Sequence, residues 1–346
     1  MSSVDERNSA FVEARGVAEA LLGAPVEVHH LAAAGGRNSR IYRVDCGARN
    51  FALKQYPSRQ ADTRDRLGTE VGALTLMERC NVRDVPRVIG VDRNHGYALL
   101  TWIDGAAVGE VTDADVDAAI AFLGAIHALR RTPWAAEQPA AAEACLSGAE
   151  IRRQIDARMA LLRSLPDEPE LADFVDGFCE PAFARQVANA VAALEDAGVD
   201  FGAELPQEWR SLVPADFGFH NSLRRGDGSL AFVDFEYFGW DDPVKLTADI
   251  LLHPGRPLES SQRRRFRRAA VRLYGEDKTF ERRLAAYLPL FGLRWALILL
   301  NEFIPERWQR RVLAGDATSW NDAKARQLNH AHEFLASLSR KVEGLK

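Results

Sequence analysis

The chain has 346 residues, 47% of them apolar and 27% charged, with a formal net charge of −5. That balance fits a soluble globular chain long enough for two units of ordinary size. Basic residues are spread along it, so no nucleic-acid surface is indicated. Cys46, Cys80, Cys145 and Cys179 form no CxxC pair and read as unpaired thiols of a cytoplasmic protein.

The start, MSSVDERNSAF, lacks the apolar core of a signal peptide. The most apolar later stretch, Tyr287–Leu300, is interrupted by Arg294 and is shorter than a bilayer span, so a buried helix is expected there. The eight histidines contain no HExxH pattern, and neither His29–His30 nor His330 with His332 points to a metal site.

Residues 1–24 read as a helix ending at Gly23–Pro25. Three strands are expected next, at Val26–Leu31, Ser39–Cys46 and Phe51–Tyr56. The first two are joined by the small, flexible AAAGGRN of Ala32–Asn38. There Gly35 and Gly36 would let backbone N–H groups approach phosphates, with Asn38 and Ser39 beside them, although a plain turn explains the glycines as well. Lys54 interrupts the apolar strand FALKQY. On a half-buried strand a lysine ordinarily faces solvent. The next segment, Asp62–Cys80, has the apolar stripe Leu67, Val71, Leu74 and Met77 of a helix, with Glu70 near its middle. A strand lysine followed by a helix glutamate is how kinases steady the α- and β-phosphates.

Arg87–Val91 and Tyr97–Ile103 complete a group of about five strands. Thr101–Gly105, TWIDG, then marks a break in composition and the expected hinge. Backbone groups around Leu99, Thr101, Trp102 and Ile103 would contact the adenine edge. The chain thus divides into residues 1–104, a nucleotide-binding part, and 105–346, a mostly helical part. Helices are expected from residue 112 to Leu129, over 148–165 and 169–197, and over Lys245–Leu252, Ser260–Tyr274, Glu281–Asn301 and Asn321–Ser339. His127 reads as a packing residue, and the arginines of Ser260–Tyr274 as a solvated face.

The stretch Val213–Pro243 interrupts these helices. Asp216 is followed by Asn221, and the segment Arg224–Gly228, RRGDG, reads as a hairpin turn before the strand-like SLAFVDF. Asp234 and Glu236 close the stretch, and Trp240–Pro243 reads as a turn into the next helix. A carboxylate, an amide and a second carboxylate at the mouth of one hairpin suit the binding of a metal–nucleotide complex.

Together the motifs FALKQY at 51–56, TEVGAL at 69–74, TWIDG at 101–105, PADFGFHN at 214–221 and FVDFEYFGWDDP at 232–243 resemble the aminoglycoside phosphotransferase and choline-kinase-like enzymes. These are the small-molecule branch of the protein-kinase fold. The resemblance covers roughly residues 25–255 and implies an α+β fold with a small β-rich N-terminal lobe and a large, mostly helical C-terminal lobe. It puts the catalytic aspartate at Asp216, the metal ligands at Asn221 and Asp234, the phosphate-holding lysine at Lys54 and its supporting glutamate at Glu70. Glu236 is a further candidate at a second metal ion or as a hydrogen-bonding partner. Many members carry histidine two residues before the catalytic aspartate; here Pro214 stands there and a histidine occurs instead at His220.

The implied cofactors are ATP and Mg²⁺, and the implied activity is phosphoryl transfer to a hydroxyl of a small molecule. A missing A-P-E segment after Asp234 argues against a protein acceptor. Tyr237, Trp240, Asp241 and Asp249 are candidates for the acceptor wall, with Trp295, Asn301 and Glu302 more remote. An acidic wall would suit an amine-bearing acceptor, a neutral one a plain sugar. A scaffold that binds nucleotide without turnover and an atypical protein kinase are the rival readings. No nucleic-acid or membrane partner is expected.

Overall fold

A computed structural model of the protein describes residues 3–31, 39–58, 62–255, 257–313 and 318–345. Gly35, Gly36 and Asn38 lie outside the described residues. The chain forms two compact units. Met1–Glu110, Ala125–Ala142 and Pro214–Gly239 make the first, and Val111–Gly124, Glu143–Val213 and Trp240–Lys346 the second.

The first unit opens with α1 (Ser3–Leu22), followed by β1 (Glu27–His30), β2 (Arg40–Cys46) and β3 (Arg49–Gln55). Then come α2 (Arg66–Arg79), β4 (Val88–Asp92), β5 (Tyr97–Thr101) and the short β6 (Ala106–Ala107). The first five strands form one antiparallel sheet in the order β1-β2-β3-β5-β4. Period-two alternation sends Val28, Tyr42, Val44, Phe51, Leu53, Tyr97 and Leu99 to one face. There they pack on Ala14, Val17 and Ala18 of α1 as a buried core. Lys54 alternates to the opposite face, beside α2. Because both faces are covered, Lys54, one residue from the end of β3, is only 4% exposed. This reverses the solvent-facing orientation usual for a strand lysine. The side chain of Asp65 caps α2 by accepting from Gly68 N at 3.0 Å.

The helical stretch begins with α3 (Asp113–Leu129) and continues through α4 (Gly148–Arg163), α5 (Pro169–Phe174) and α6 (Glu180–Glu195). A single helix over 169–197 was expected; a π-helical turn at Val175–Cys179 divides it. Next come β7 (Ser211–Val213), β8 (Ser222–Arg224), β9 (Leu230–Phe232) and β10 (Gly239–Asp241). β8 pairs with β9 as the expected hairpin, and β6 adds to its other edge. The expected turn at Trp240–Pro243 is corrected in part: Gly239–Asp241 is a strand paired with β7. The next helix starts directly after it.

That helix, α7 (Pro243–Leu252), has Pro243 in its first turn and is capped by Asp242, which accepts from Val244 N at 2.8 Å. It is followed by α8 (Ser260–Leu273), α9 (Phe280–Leu299), α10 (Pro305–Leu313) and α11 (Trp320–Glu343); α10 was not foreseen. The apolar stretch Tyr287–Leu300 is part of a longer helical segment, Phe280–Phe303, which by length and composition alone could cross a membrane. Its most apolar window is 61% buried inside the protein, and the segment carries an ion-paired arginine, Arg294. It is a core helix of the second unit.

Candidate active site

Lys54 is the centre of a buried charge network in the first unit. Its ammonium donates to Glu70 Oε2 and to Asp234 Oδ1, each at 2.6 Å, and lies 3.3 Å from Glu236 Oε2. Glu70 is held from three directions. Besides Lys54, the Tyr56 hydroxyl donates to Oε2 at 2.7 Å and Phe235 N to Oε1 at 3.1 Å. The Phe235 bond ties the acidic segment after β9 to the middle of α2. Burial alone would lower the Lys54 pKa, but Glu70 and Asp234 overcome it and hold the value well above that of an ordinary lysine. The surrounding carboxylates thus favour the charged form of Lys54.

Glu236 faces a second cation that the sequence reading did not single out. Arg66, one turn before Glu70 on α2, donates through Nη1 to Glu236 Oε1 and through both Nε and Nη2 to Asp62 Oδ2. Ser39 Oγ donates to the other Glu236 oxygen at 2.8 Å. Burial opposes ionisation of Glu236, yet Lys54 and Arg66 keep its pKa below the usual carboxylate value. Asp62 is likewise held low: burial is outweighed by hydrogen bonds from Arg64 and Arg66. The i,i+4 spacing of Asp62, Arg66 and Glu70 was a readable signal for this array. Tyr237 lies beneath it, with the Arg66 and Arg64 guanidinium carbons 4.9 and 5.3 Å from its ring centre.

Asp216 and Asn221 sit on the loop that enters β8. Ala215 has φ +63°, a left-handed conformation costly for a residue with a Cβ, and it turns the chain sharply before Asp216. Asn221 Nδ2 donates to Asp216 O at 2.9 Å, and Asn221 N to Gly218 O at 3.0 Å. The β8–β9 register pairs Ser222 with Phe232, and Val233 N donates to Asn221 O at 3.0 Å. Asn221 and Asp234 therefore come from the same end of the hairpin, one residue and two residues beyond the last paired positions. Asp234 has φ +71°, a second left-handed residue. His220 Nε2 lies 3.1 Å from Asp216 Oδ1.

The carboxylates around Lys54 are a candidate donor set for Mg²⁺. Glu70, Asp234 and Glu236 each offer a carboxylate oxygen within 4.8 Å of the others, all around one ammonium. Glu70 and Glu236 side chains are 1% exposed and held by Lys54, Tyr56, Arg66 and Ser39, whereas Asp234 is 28% exposed. Burial, helped by Glu236 and Glu70 and opposed by Lys54, pushes the Asp234 carboxyl up to about 6. Such an excess of carboxylate around one cation fits a hard divalent ion. Asp234 is the most exposed of the three and could take it.

Among the hinge residues, Leu99 is fully buried, with its side chain in the α1 core and its strand paired on both edges. Thr101 is tied to Arg87 through N→O and N→Oγ1 bonds of 2.9 Å each. Trp102 and Ile103 lie just past the ladder and are half-buried. Trp102 Nε1 donates to Asp104 Oδ1 at 2.9 Å, and Arg43 lies 5.2 Å over its ring.

The remaining acceptor-wall candidates lie in the second unit. Asp241 is 1% exposed and accepts from Cys145 N at 2.7 Å and Asp242 N at 2.8 Å; burial pushes it up to about 7. Asp249 pairs with Lys245 at 3.0 Å and lies 3.7 Å from Arg294. Glu302 is ion-paired with Arg311, and Asn301 Oδ1 accepts from Arg158 Nη1 at 3.0 Å. Trp240 is half-buried, and Trp295 packs edge-on against His253 with ring centres 4.9 Å apart. The acids of this set are each matched by a cation. Lys245 was visible at i,i+4 from both Asp241 and Asp249; Arg294, far away in sequence, was not.

No curated protein matches the chain in sequence. Solved structures match its fold over nearly the whole length. Spectinomycin phosphotransferase APH(9)-Ia, in complex with ADP and spectinomycin, aligns over 93% of this chain and 95% of its own with a TM-score of 0.62 at 11% identity. The gentamicin complex of APH(2")-IIa aligns over 94% and 97%, with a TM-score of 0.58 at 15% identity. Choline kinase LicA from Streptococcus pneumoniae aligns over 90% and 94%, with a TM-score of 0.54 at 18% identity. The fold is the α+β protein-kinase-like fold, with a small antiparallel sheet in its N-terminal part and helices in most of the remainder. The family model described as phosphotransferase enzyme family matches residues 30–287, three quarters of the sequence, and the chain belongs to that family.

Proposed function

We propose that the protein is a Mg²⁺- and ATP-dependent kinase that transfers the γ-phosphoryl group to a hydroxyl of a small molecule in the cytoplasm. The observation that carries this reading is Lys54, buried, held in its charged form by neighbouring carboxylates and bonded to both Glu70 and Asp234. In the proposed reaction Lys54 holds the α- and β-phosphates, and Glu70 keeps its ammonium from turning away. Asn221 and Asp234 would hold Mg²⁺, which supplies neutralisation of the phosphate charge. Asp216 orients the acceptor hydroxyl and receives its proton as the phosphoryl group is transferred. Glu236, engaged by Arg66 and Ser39, braces the Asp234 segment. Residues 1–104 supply the nucleotide-binding part, and Trp102 and Ile103 are the favoured backbone contacts for adenine.

The acceptor class follows from charge and from similar proteins. Structures of similar fold hold spectinomycin or gentamicin, or are named choline and ethanolamine kinases. Amino sugars, sugars and amino alcohols are thus the classes to test. In this chain Asp241, Asp249 and Glu302 are matched by Lys245, Arg294 and Arg311. That balance favours a neutral hydroxyl compound over a polycationic one.

The test is incubation of purified protein with ATP, Mg²⁺ and a panel of amino sugars, sugars, choline-like alcohols and hydroxy amino acids, with products read by mass spectrometry. Asp216→Asn is expected to lower turnover by about 10²–10⁴-fold, the usual contribution of a general base. Product formation at an unchanged rate in that variant would remove Asp216 from the mechanism. Nucleotide binding with no product from any acceptor would favour a scaffold instead.

A further inference from the structure

We infer that His220 is a positioning residue for Asp216, bracing its carboxylate from four residues downstream on the same loop. The inference rests on the assignment of Asp216 as the proton acceptor. Pro214, two residues before Asp216, has neither a side-chain donor nor a backbone N–H to offer the aspartate. The brace comes instead from four residues downstream. His220 Nε2 lies 3.1 Å from Asp216 Oδ1, and because an ionised carboxylate only accepts, the imidazole is the donor.

The loop is built to keep that contact. Phe219, 4% exposed, anchors the 3-10 turn Phe219–Asn221 in the interior. Gly218 O accepts from Asn221 N at 3.0 Å and from Ser222 Oγ at 3.1 Å, which closes the turn on which His220 rides. The imidazole lies directly over Gly218: a Cβ there would stand 2.9 Å from His220 Nδ1 and 3.0 Å from Cε1. Absence of a side chain at residue 218 is therefore what admits the ring. Asn221 Nδ2 holds the Asp216 backbone carbonyl at 2.9 Å while His220 holds the carboxylate. The first bond fixes where the residue sits, and the second fixes the rotation of its carboxylate. Asp216 is 44% exposed at its side chain, and the imidazole, 25% exposed, holds one of its carboxylate oxygens from the protein side. Misplacement of a reacting group by about 1 Å can lower the rate about 10²-fold.

Two variants test this, assayed with Mg²⁺–ATP and water as acceptor (ATP hydrolysis), and with any product-forming acceptor from the panel above. His220→Ala is expected to lower kcat about 10–100-fold while KM for ATP stays within about twofold. His220→Gln, whose amide N–H reaches the same distance as Nε2, is expected to restore most of kcat. Gly218→Ala, which keeps the histidine but displaces its ring, is expected to reproduce the His220→Ala loss. Wild-type kcat in both His220→Ala and Gly218→Ala overturns the inference, as does a glutamine variant no better than alanine. Asp216→Asn, run in parallel, separates the two levels. If it is inactive while the His220 variants are unchanged, only the positioning role fails. If it is fully active, the catalytic assignment fails first.

Discussion

Asp234→Asn should make the metal-free protein more stable at neutral pH while abolishing its activity. In the absence of metal the Asp234 carboxyl is raised from an ordinary 3.8 to about 6 by burial and by Glu236 and Glu70, against the pull of Lys54. The folded carboxyl therefore binds its proton more tightly than the unfolded one. The stabilisation from that proton is complete below about pH 3.8 and is lost as pH rises through about 6. At 1.36 kcal/mol per pH unit, the ionised aspartate weakens the fold by about 3 kcal/mol at pH 7.5. Asparagine keeps the shape and carries no charge, and Lys54 retains Glu70 at 2.6 Å and Glu236 at 3.3 Å. Thermal melts in EDTA should therefore place Asp234→Asn roughly 4 °C above wild type at pH 7.5, with the gap closing towards pH 4. Adding Mg²⁺ and ATP should raise the wild-type midpoint and leave the variant's nearly unmoved, because only the former binds the complex well. A gap that does not vary with pH, or a variant less stable than wild type at pH 7.5, would refute the reasoning.

Three further outcomes are expected. Arg66→Met leaves buried Glu236 without its guanidinium partner; removing one member of a buried pair costs about 3–5 kcal/mol, readable as a lowered urea midpoint. In the second unit Arg283→Met strands Asp242 and Asp277, both buried, and should cost a similar ~3–5 kcal/mol, with earlier cleavage in limited proteolysis. Gly239→Ala would put a Cβ 2.4 Å from Pro139 O and 2.5 Å from Ala141 N, contacts that only a backbone shift can relieve. A loss of at least ~1–3 kcal/mol is expected in a denaturant titration, whereas a neutral effect would mean the backbone there adjusts freely.

Much of the fold and candidate site could be read from local chemistry. Alternation marked the strands around Lys54, and the 3.6-residue stripe of Leu67, Leu74 and Met77 set Glu70 on a helix. Turn residues at Arg224–Gly228 implied the hairpin that gathers Asn221 and Asp234. What escaped was decided by partners distant in sequence. Alternation says which face of β3 Lys54 occupies, but not that α2 covers that face. Asp241 and Asp249 look like a free acidic wall until Arg294, on another helix, and Lys245 are brought against them. Glu236 reads as a candidate for a second metal ion or for hydrogen bonding, and nothing in its neighbourhood of sequence announces that Arg66 and Ser39 donate to its two oxygens. The π-helical turn after Phe174 left no signal in composition.

The β8–β9 hairpin has a consequence for how such sequences are found. Its tip is closed by its own bonds, Gly228 N to Arg225 O and Arg225 N to Ser229 O, each 2.9 Å, and residues 226–229 are exposed. Asn221 and Asp234 are brought together at the other end by strand pairing. Lengthening the tip would extend a surface loop, and even doubling a flexible loop costs only about 0.6 kcal/mol. The interval between the amide and the second carboxylate is therefore free to drift during evolution, while the interval from Asp216 to Asn221, fixed by the bond between them, is not. A pattern search that demands a constant gap across the hairpin would discard true relatives. One that fixes the first gap and leaves the second open would keep them.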